Sequence, residues 1–242
     1  MSKIPVLEVF GPTIQGEGMV TGQKTMFVRT AGCDYACSWC DSAFTWDGSA
    51  KDDIVQMSPE DIWESLENAG GSRFSHVTIS GGNPALYPQM GKFVQLLHKK
   101  DIAVALETQG SRWQEWFEEI DDLTISPKPP SSRMEVDLDR LDTIAARLIE
   151  SGRTSYTSMK VVVFDEEDYQ FAKKIAERYP AFPMYLQVGN PDTETMQDAA
   201  LREDLLQRYE QLVERVMQDS DMNDVRVLPQ LHTLLWGNMR GV

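Results

Sequence analysis

Three cysteines fall close together in the segment CDYACSWC, at Cys33, Cys37 and Cys40, and the chain has no others. Thiolates are soft ligands that suit iron–sulfur clusters and zinc. A cluster held by protein alone takes four cysteines. With three, one iron stays open, like the free position of a catalytic metal site. The competing chemistry is a zinc site of three Cys and one His. His76, His98 and His232 are its candidates, none of them near the cysteines in sequence and His98 within a helical pattern. Cysteines grouped in this way in a chain expected to be cytosolic point to a metal rather than a disulfide framework.

Other residues with chemistry to offer follow strand-like runs. SGGNP (80–84) comes after HVTI and opens with Ser80, and Gly81 and Gly82 permit close backbone approach to a ligand. ETQG closes IAVALE with Glu107 and Thr108. SPKPP follows LTI with Ser126, Pro127 and Lys128. QVGNP ends MYLQV with Gln187, Val188, Gly189 and Asn190, and LPQLH ends VRV. Turn chemistry accounts for the Gly and Pro. It does not account for the cysteines, Glu107, Lys128 or Gln187.

The elements that must position these residues alternate in type. IPVLEVF, TMFVR, HVTIS, IAVALE, LTIS, MKVVVF, MYLQV and VRVLP read as strands, and MKVVVF as a buried one. SPEDIWESLENAGG reads as a helix with Ser58 as N-cap, Pro59 at the first position and Gly70-Gly71 as its stop. YPQMGKFVQLLHKK has apolar residues at helical spacing, and RWQEWFEEI reads as a short helix. LDRLDTIAARLIE puts Leu141, Ile144, Ala145 and Leu148 on one face. DEEDYQFAKKIAERY begins with acids and ends with bases, as the helix dipole favours. DAALREDLLQRYEQLVERVMQDS is a long helix. Repeated β–α units imply a parallel sheet. In a parallel barrel the carboxyl ends of the strands share one face, where the site forms. The expected fold is α/β, an incomplete parallel barrel of about six strands. One domain spans 1–242, with a tail from about residue 229 closing the site.

The 242 residues carry 38 acidic and 23 basic side chains, a net charge of −15. Phosphate binding needs clustered Lys and Arg, so nucleic acid is an unexpected partner. No run approaches the ~20 apolar residues of a membrane span. The first residues lack the unbroken apolar stretch of a signal peptide. The expectation is a cytoplasmic protein.

The cysteine spacing followed by a glycine segment resembles the radical S-adenosylmethionine superfamily. There the open iron is chelated by S-adenosylmethionine, which is cleaved to a 5′-deoxyadenosyl radical. FGPTIQGEG, Arg29, the cysteine loop, SGGNP, ETQG and SPKPP together resemble one family within it, 7-carboxy-7-deazaguanine synthase. The resemblance runs from about residue 5 through His232. It implies conversion of 6-carboxy-5,6,7,8-tetrahydropterin to 7-carboxy-7-deazaguanine with loss of ammonia, toward queuosine and related deazapurines. It further implies one [4Fe-4S] cluster on Cys33, Cys37 and Cys40, S-adenosylmethionine, Mg2+ on the hydroxyl of Ser42, a homodimer, and an electron donor such as flavodoxin or ferredoxin. Carried over by position, Ile14, Gln15, Gly16, Glu17, Arg29 and Ser80 contact the pterin, and so does the terminal carboxylate of Val242. Trp39, Asp41, Gly82, Glu107, Ser126, Pro127, Lys128, Gln187, Val188, Gly189 and Asn190 adjoin S-adenosylmethionine. Asn83 stands where the superfamily usually has an acid. Two other readings share parts of this pattern: an activase that makes a glycyl radical on a protein, and a zinc-binding interaction protein.

Overall fold

A computed structural model describes residues 3–242; Met1 and Ser2, part of the expected domain, lie outside the described residues. The strands are β1 (Ile4–Ile14), β2 (Lys24–Thr30), β3 (Val55–Met57), β4 (His76–Gly81), β5 (Ala103–Thr108), β6 (Asp122–Ile125), β7 (Thr157–Val163), β8 (Met184–Val188) and β9 (Arg226–Leu228). They form one sheet in the order β3-β1-β2-β4-β5-β6-β7-β8-β9. From β2 to β9 every neighbouring pair is parallel. β1 and β3 are antiparallel additions at one edge. The β1–β2 connection is too short for the helical crossover that a parallel pair requires, so β2 must run back along β1. β3 and β9 end the sheet without pairing to each other, so the barrel is open. β3 has no counterpart in the sequence reading. It is three residues long and too short to show an alternation.

The helices are α1 (Pro59–Gly70), α2 (Met90–His98), α3 (Leu138–Glu150), α4 (Glu166–Arg178), α5 (Asp198–Met217) and α6 (Leu231–Trp236). Ser58 caps α1 in a reciprocal box with Asp61, and Pro59 holds the first position. α3 buries Leu141, Ile144, Ala145 and Leu148, the face that its spacing predicts. α4 carries Glu166, Glu167 and Asp168 in its first turn and Arg178 in its last. RWQEWFEEI forms only a 3-10 segment, Glu115–Glu119. α6 lies in the tail, where no helix was expected.

Strand alternation sorts side chains between two surroundings. Along β7, Met159, Val161 and Val163 join the main apolar core. Ser158, Lys160 and Val162 take the other face, toward the barrel interior. At the base of that interior Thr25 Oγ1 bonds both His76 Nδ1 at 2.8 Å and Thr78 Oγ1 at 3.0 Å.

Candidate active site

One cavity opens at the carboxyl ends of the strands, and the segments singled out in the sequence meet there. Cys33, Cys37, Cys40, Asp41 and Ser42 line it from the loop after β2. Ser80, Gly81 and Gly82 come from β4 and its end, and Glu107, Thr108 and Gln109 from β5. Ser126 and Lys128 follow β6, and Asn190 follows β8. Ile14, Gln15, Gly16 and Glu17 enter at the end of β1. Arg29 and Ser80, paired in the β2–β4 register, stand side by side on this wall. Trp39 and Val242 also border the cavity. Pro127, Gln187, Val188 and Gly189 lie outside its lining. Gln187 is fully buried and donates to the Leu228 carbonyl at 3.5 Å, Val188 packs in the core, and Gly189 abuts the Phe164 ring.

The three cysteines are free and half-buried. Burial pushes the Cys33 thiol up and the Cys37 thiol up to about 11, while the Lys128 ammonium pulls against both shifts. Backbone and side-chain N–H groups point at the sulfurs. Tyr35 N lies 3.4 Å from Cys33 Sγ, Gln109 Nε2 3.7 Å from the same atom, and Trp46 Nε1 3.4 Å from Cys40 Sγ. Three thiols in one loop, each able to release a proton on metal binding and two already provided with N–H donors, suit an iron–sulfur cluster. The glycine segment runs so close to this loop that a Cβ on Gly82 would come 2.0 Å from the Gly32 carbonyl oxygen. The zinc alternative finds little support in the histidines. His76 is held by Thr25, and His98 Nε2 sits 2.9 Å from Asp121 Oδ2. Only His232 of the three borders the cavity.

The sequence reading missed Lys160. It is 3% exposed, and its ammonium lies 2.5 Å from Glu17 Oε2 and 3.1 Å from Glu107 Oε2. Gln230 Nε2 donates to the other oxygen of Glu17 at 2.9 Å, and His232 Nε2 approaches it to 4.0 Å. Burial alone pushes the Glu17 carboxyl up. The Lys160 ammonium, with His232 and the hydrogen bonds of Lys160 and Gln230, overrides this and holds it down to about 2. Burial likewise pushes Lys160 down, and the carboxylates of Glu107 and Glu17 more than reverse it. The cavity floor is therefore a fixed carboxylate–ammonium–carboxylate array. Glu17, Asp41 and His232 also present ligand atoms within 4.8 Å of one another, a grouping able to hold a cation, and Ser42 adjoins Asp41.

Arg29 has a double attachment. Its Nε lies 3.0 Å from Glu8 Oε2, the residue opposite it on β1, and its guanidinium packs between the Phe10 and Phe44 rings. Arg240, in the tail, pairs with the other oxygen of Glu8. Trp39 packs against Phe164 with the rings tilted at 38°, and its indole N–H donates to Ser131 Oγ at 2.9 Å.

An open parallel barrel with three thiols at its mouth defines a radical S-adenosylmethionine enzyme, and residues 27–164 match the radical SAM superfamily. The chain is 61% identical to the 7-carboxy-7-deazaguanine synthase of Bacillus cereus, over 100% of both chains. It is 63% identical to that of Bacillus subtilis, over 99% of this chain and 98% of the relative. The chain belongs to the 7-carboxy-7-deazaguanine synthase family. Its fold is similar to the crystal structure of QueE from Escherichia coli, with a TM-score of 0.69, 22% identity and 95% of each chain covered.

Proposed function

We propose that this protein converts 6-carboxy-5,6,7,8-tetrahydropterin to 7-carboxy-7-deazaguanine with release of ammonia, in queuosine biosynthesis. The observation that carries the reading is the joining of two groups in one cavity. The three-thiol loop and the buried Glu17–Lys160–Glu107 array meet there, in a chain alike from end to end to synthases of that name. When bound at the three thiolates, the cluster with S-adenosylmethionine supplies one-electron cleavage and a carbon radical. The chain's own residues hold, orient and shield. Gly82 brings backbone alongside the cysteine loop, and Glu107, Ser126, Lys128 and Asn190, all lining the cavity, would hold S-adenosylmethionine. Gln15, Glu17, Arg29 and Ser80 line the pterin side. A planar guanidinium suits the substrate carboxylate, and Arg29, ion-paired to Glu8 only through the approach of Nε, keeps its terminal N–H groups for it. Glu17, kept ionised by Lys160, accepts hydrogen bonds from the pterin ring N–H groups. A primary radical attacks most nearby C–H bonds, so position and exclusion of water are the protein's main contribution.

Ser42, next in the chain to Asp41 of the Glu17, Asp41 and His232 grouping, would hold Mg2+ through its hydroxyl. A hard cation with few protein ligands keeps waters and meets substrate oxygens. The protein works as a cytoplasmic homodimer of single-domain chains, with the tail from about residue 229 over the cavity. A flavodoxin or ferredoxin supplies electrons. Among the described residues no helix is long and apolar enough to cross a membrane. One anaerobic assay tests the reading: reconstituted protein, reductant, S-adenosylmethionine, Mg2+ and carboxy-tetrahydropterin. It is expected to yield 7-carboxy-7-deazaguanine and ammonia. A brown, S-adenosylmethionine-cleaving protein that leaves the pterin unchanged would reject it in favour of another radical enzyme.

A further inference from the structure

We propose that Asp34 is the positioning residue that shapes the Cys33 corner of the cysteine loop, and that Asn83 is its matched partner. This rests on the assignment of a cluster to Cys33, Cys37 and Cys40. Residues 31–41 belong to no strand or helix. The later half of the loop is tied to the segment after β6: Ser38 Oγ donates to the Ser131 carbonyl at 2.7 Å, and Trp39 donates to Ser131 Oγ. The Cys33 corner is held by Asp34. Asp34 as a whole residue is exposed, yet its side chain is only 24% exposed because it turns inward. There it accepts hydrogen bonds from Asn83 Nδ2 at 2.9 Å, Gln109 Nε2 at 2.6 Å and Ser111 Oγ at 2.8 Å, with Arg112 Nε at 3.5 Å. Those partners all follow the ends of β4 and β5. One carboxylate thus anchors the first cysteine to two strand ends.

The directions of these bonds are determined. Asn83 is completely buried and lies outside the cavity lining. Its Oδ1 accepts from Thr108 Oγ1 at 2.9 Å and from Ala85 N at 3.2 Å. Its amide nitrogen must therefore face Asp34 and Ser111, where it donates to both. An acid at 83 would set a carboxylate oxygen against Asp34 Oδ1, acceptor to acceptor. The acid on the loop and the amide on the strand end are complementary; exchanging them restores the direct bond between residues 34 and 83, while Ser111 and Gln109, whose Nε2 also points at Cys33 Sγ, must re-orient around it.

The test uses the full chain as Asn83→Asp, Asp34→Asn and the double exchange, Asp34→Asn with Asn83→Asp. Thermal unfolding is measured before anaerobic reconstitution. Iron content and the rate of cluster loss to a chelator are measured after it, in the cold, where the chain is folded. Asn83→Asp is expected to lower the melting temperature by roughly 10 °C, the scale of a broken buried polar pair in a chain of this size. Both single variants are expected to lose the cluster about 10-fold faster, as loss of a ligand-supporting partner does. The double exchange should recover part of the loss in both readouts, the direct bond between residues 34 and 83 being restored and the Gln109 and Ser111 bonds not. If Asn83→Asp fails to fold, the comparison of Asp34→Asn with the double exchange carries the test. Single variants that retain the cluster as the parent does, even with a lower melting temperature, would make Asp34 a prop of the fold and overturn the proposal. So would a double exchange no better than the single variants. A parent chain that takes up no iron would instead overturn the cluster assignment itself.

Discussion

Replacing Lys160 by Met removes the buried cation between two half-buried carboxylates and leaves the volume nearly unchanged. Glu17 and Glu107 are 14% and 22% exposed in their side chains, so neither gains much hydration in compensation. Breaking a buried ion pair by deleting one partner costs about 3–5 kcal/mol. In a chain of this length each kcal/mol moves the melting temperature by roughly 2–4 °C, so the loss should be about 6–20 °C at neutral pH. The pH dependence gives a second, independent sign. In the parent, Glu17 is held at about 2, below its ordinary 4.5. Its contribution is therefore full above 4.5 and fades as the pH falls through 4.5 toward 2. That difference amounts to ~3 kcal/mol by linkage. Without Lys160, burial becomes the dominant influence on Glu17 and pushes its carboxyl up. Its ionisation then opposes folding, so acidification from pH 7 to 5 should raise the stability of Lys160→Met relative to the parent. Thermal unfolding of both proteins across that range reads the effect. A variant that melts within about 2 °C of the parent at pH 7 and follows its pH profile would refute the ion-array reasoning, given the scale above.

Cys33→Ala, Cys37→Ala and Cys40→Ala should each abolish S-adenosylmethionine cleavage, since no other cysteine exists to substitute; visible absorption and iron analysis check this, and an intact brown chromophore with normal turnover in any one of them would sink the ligand set. Ser42→Ala should raise the Mg2+ concentration needed for half-maximal activity, and a titration superimposing on that of the parent would remove Ser42 from the metal site. Arg29→Ala should weaken pterin binding by about 30- to 1000-fold, from loss of a charge-assisted pair worth roughly 2–4 kcal/mol. Because Arg29 also pairs with Glu8, some thermal stability should go with it. Arg29→Lys should restore the charge but not the fork. Unchanged affinity in folded Arg29→Ala protein would assign Arg29 to the Glu8 pair alone.

What could be read from the sequence was local. The cysteines announce a metal because all three ligands sit in one short loop. The Ser58 cap of α1 and the buried face of α3 follow from neighbours within one turn of helix. The strand ends could be gathered to one face because parallel order dictates it. Tertiary structure decided the rest. β7 is buried along its whole length, so burial does not alternate along it and nothing in MKVVVF marks Lys160 off from its apolar neighbours. Alternation says that Lys160 shares a face with Ser158 and Val162. Only curvature of the sheet shows that this face looks into the cavity. The partners of Lys160 are 143 and 53 residues away, so no local pattern reports them. QVGNP met the same limit, since Asn190 reaches the cavity while Gln187, Val188 and Gly189 are taken up by packing. Asn83, a departure from the superfamily's usual acid when taken alone, has a reason in the fold: the carboxylate it faces comes from Asp34, 49 residues earlier in the chain. Ligand type and element type are set by residue chemistry and short-range periodicity, whereas the partner of a buried charge is set by which strands the chain brings side by side.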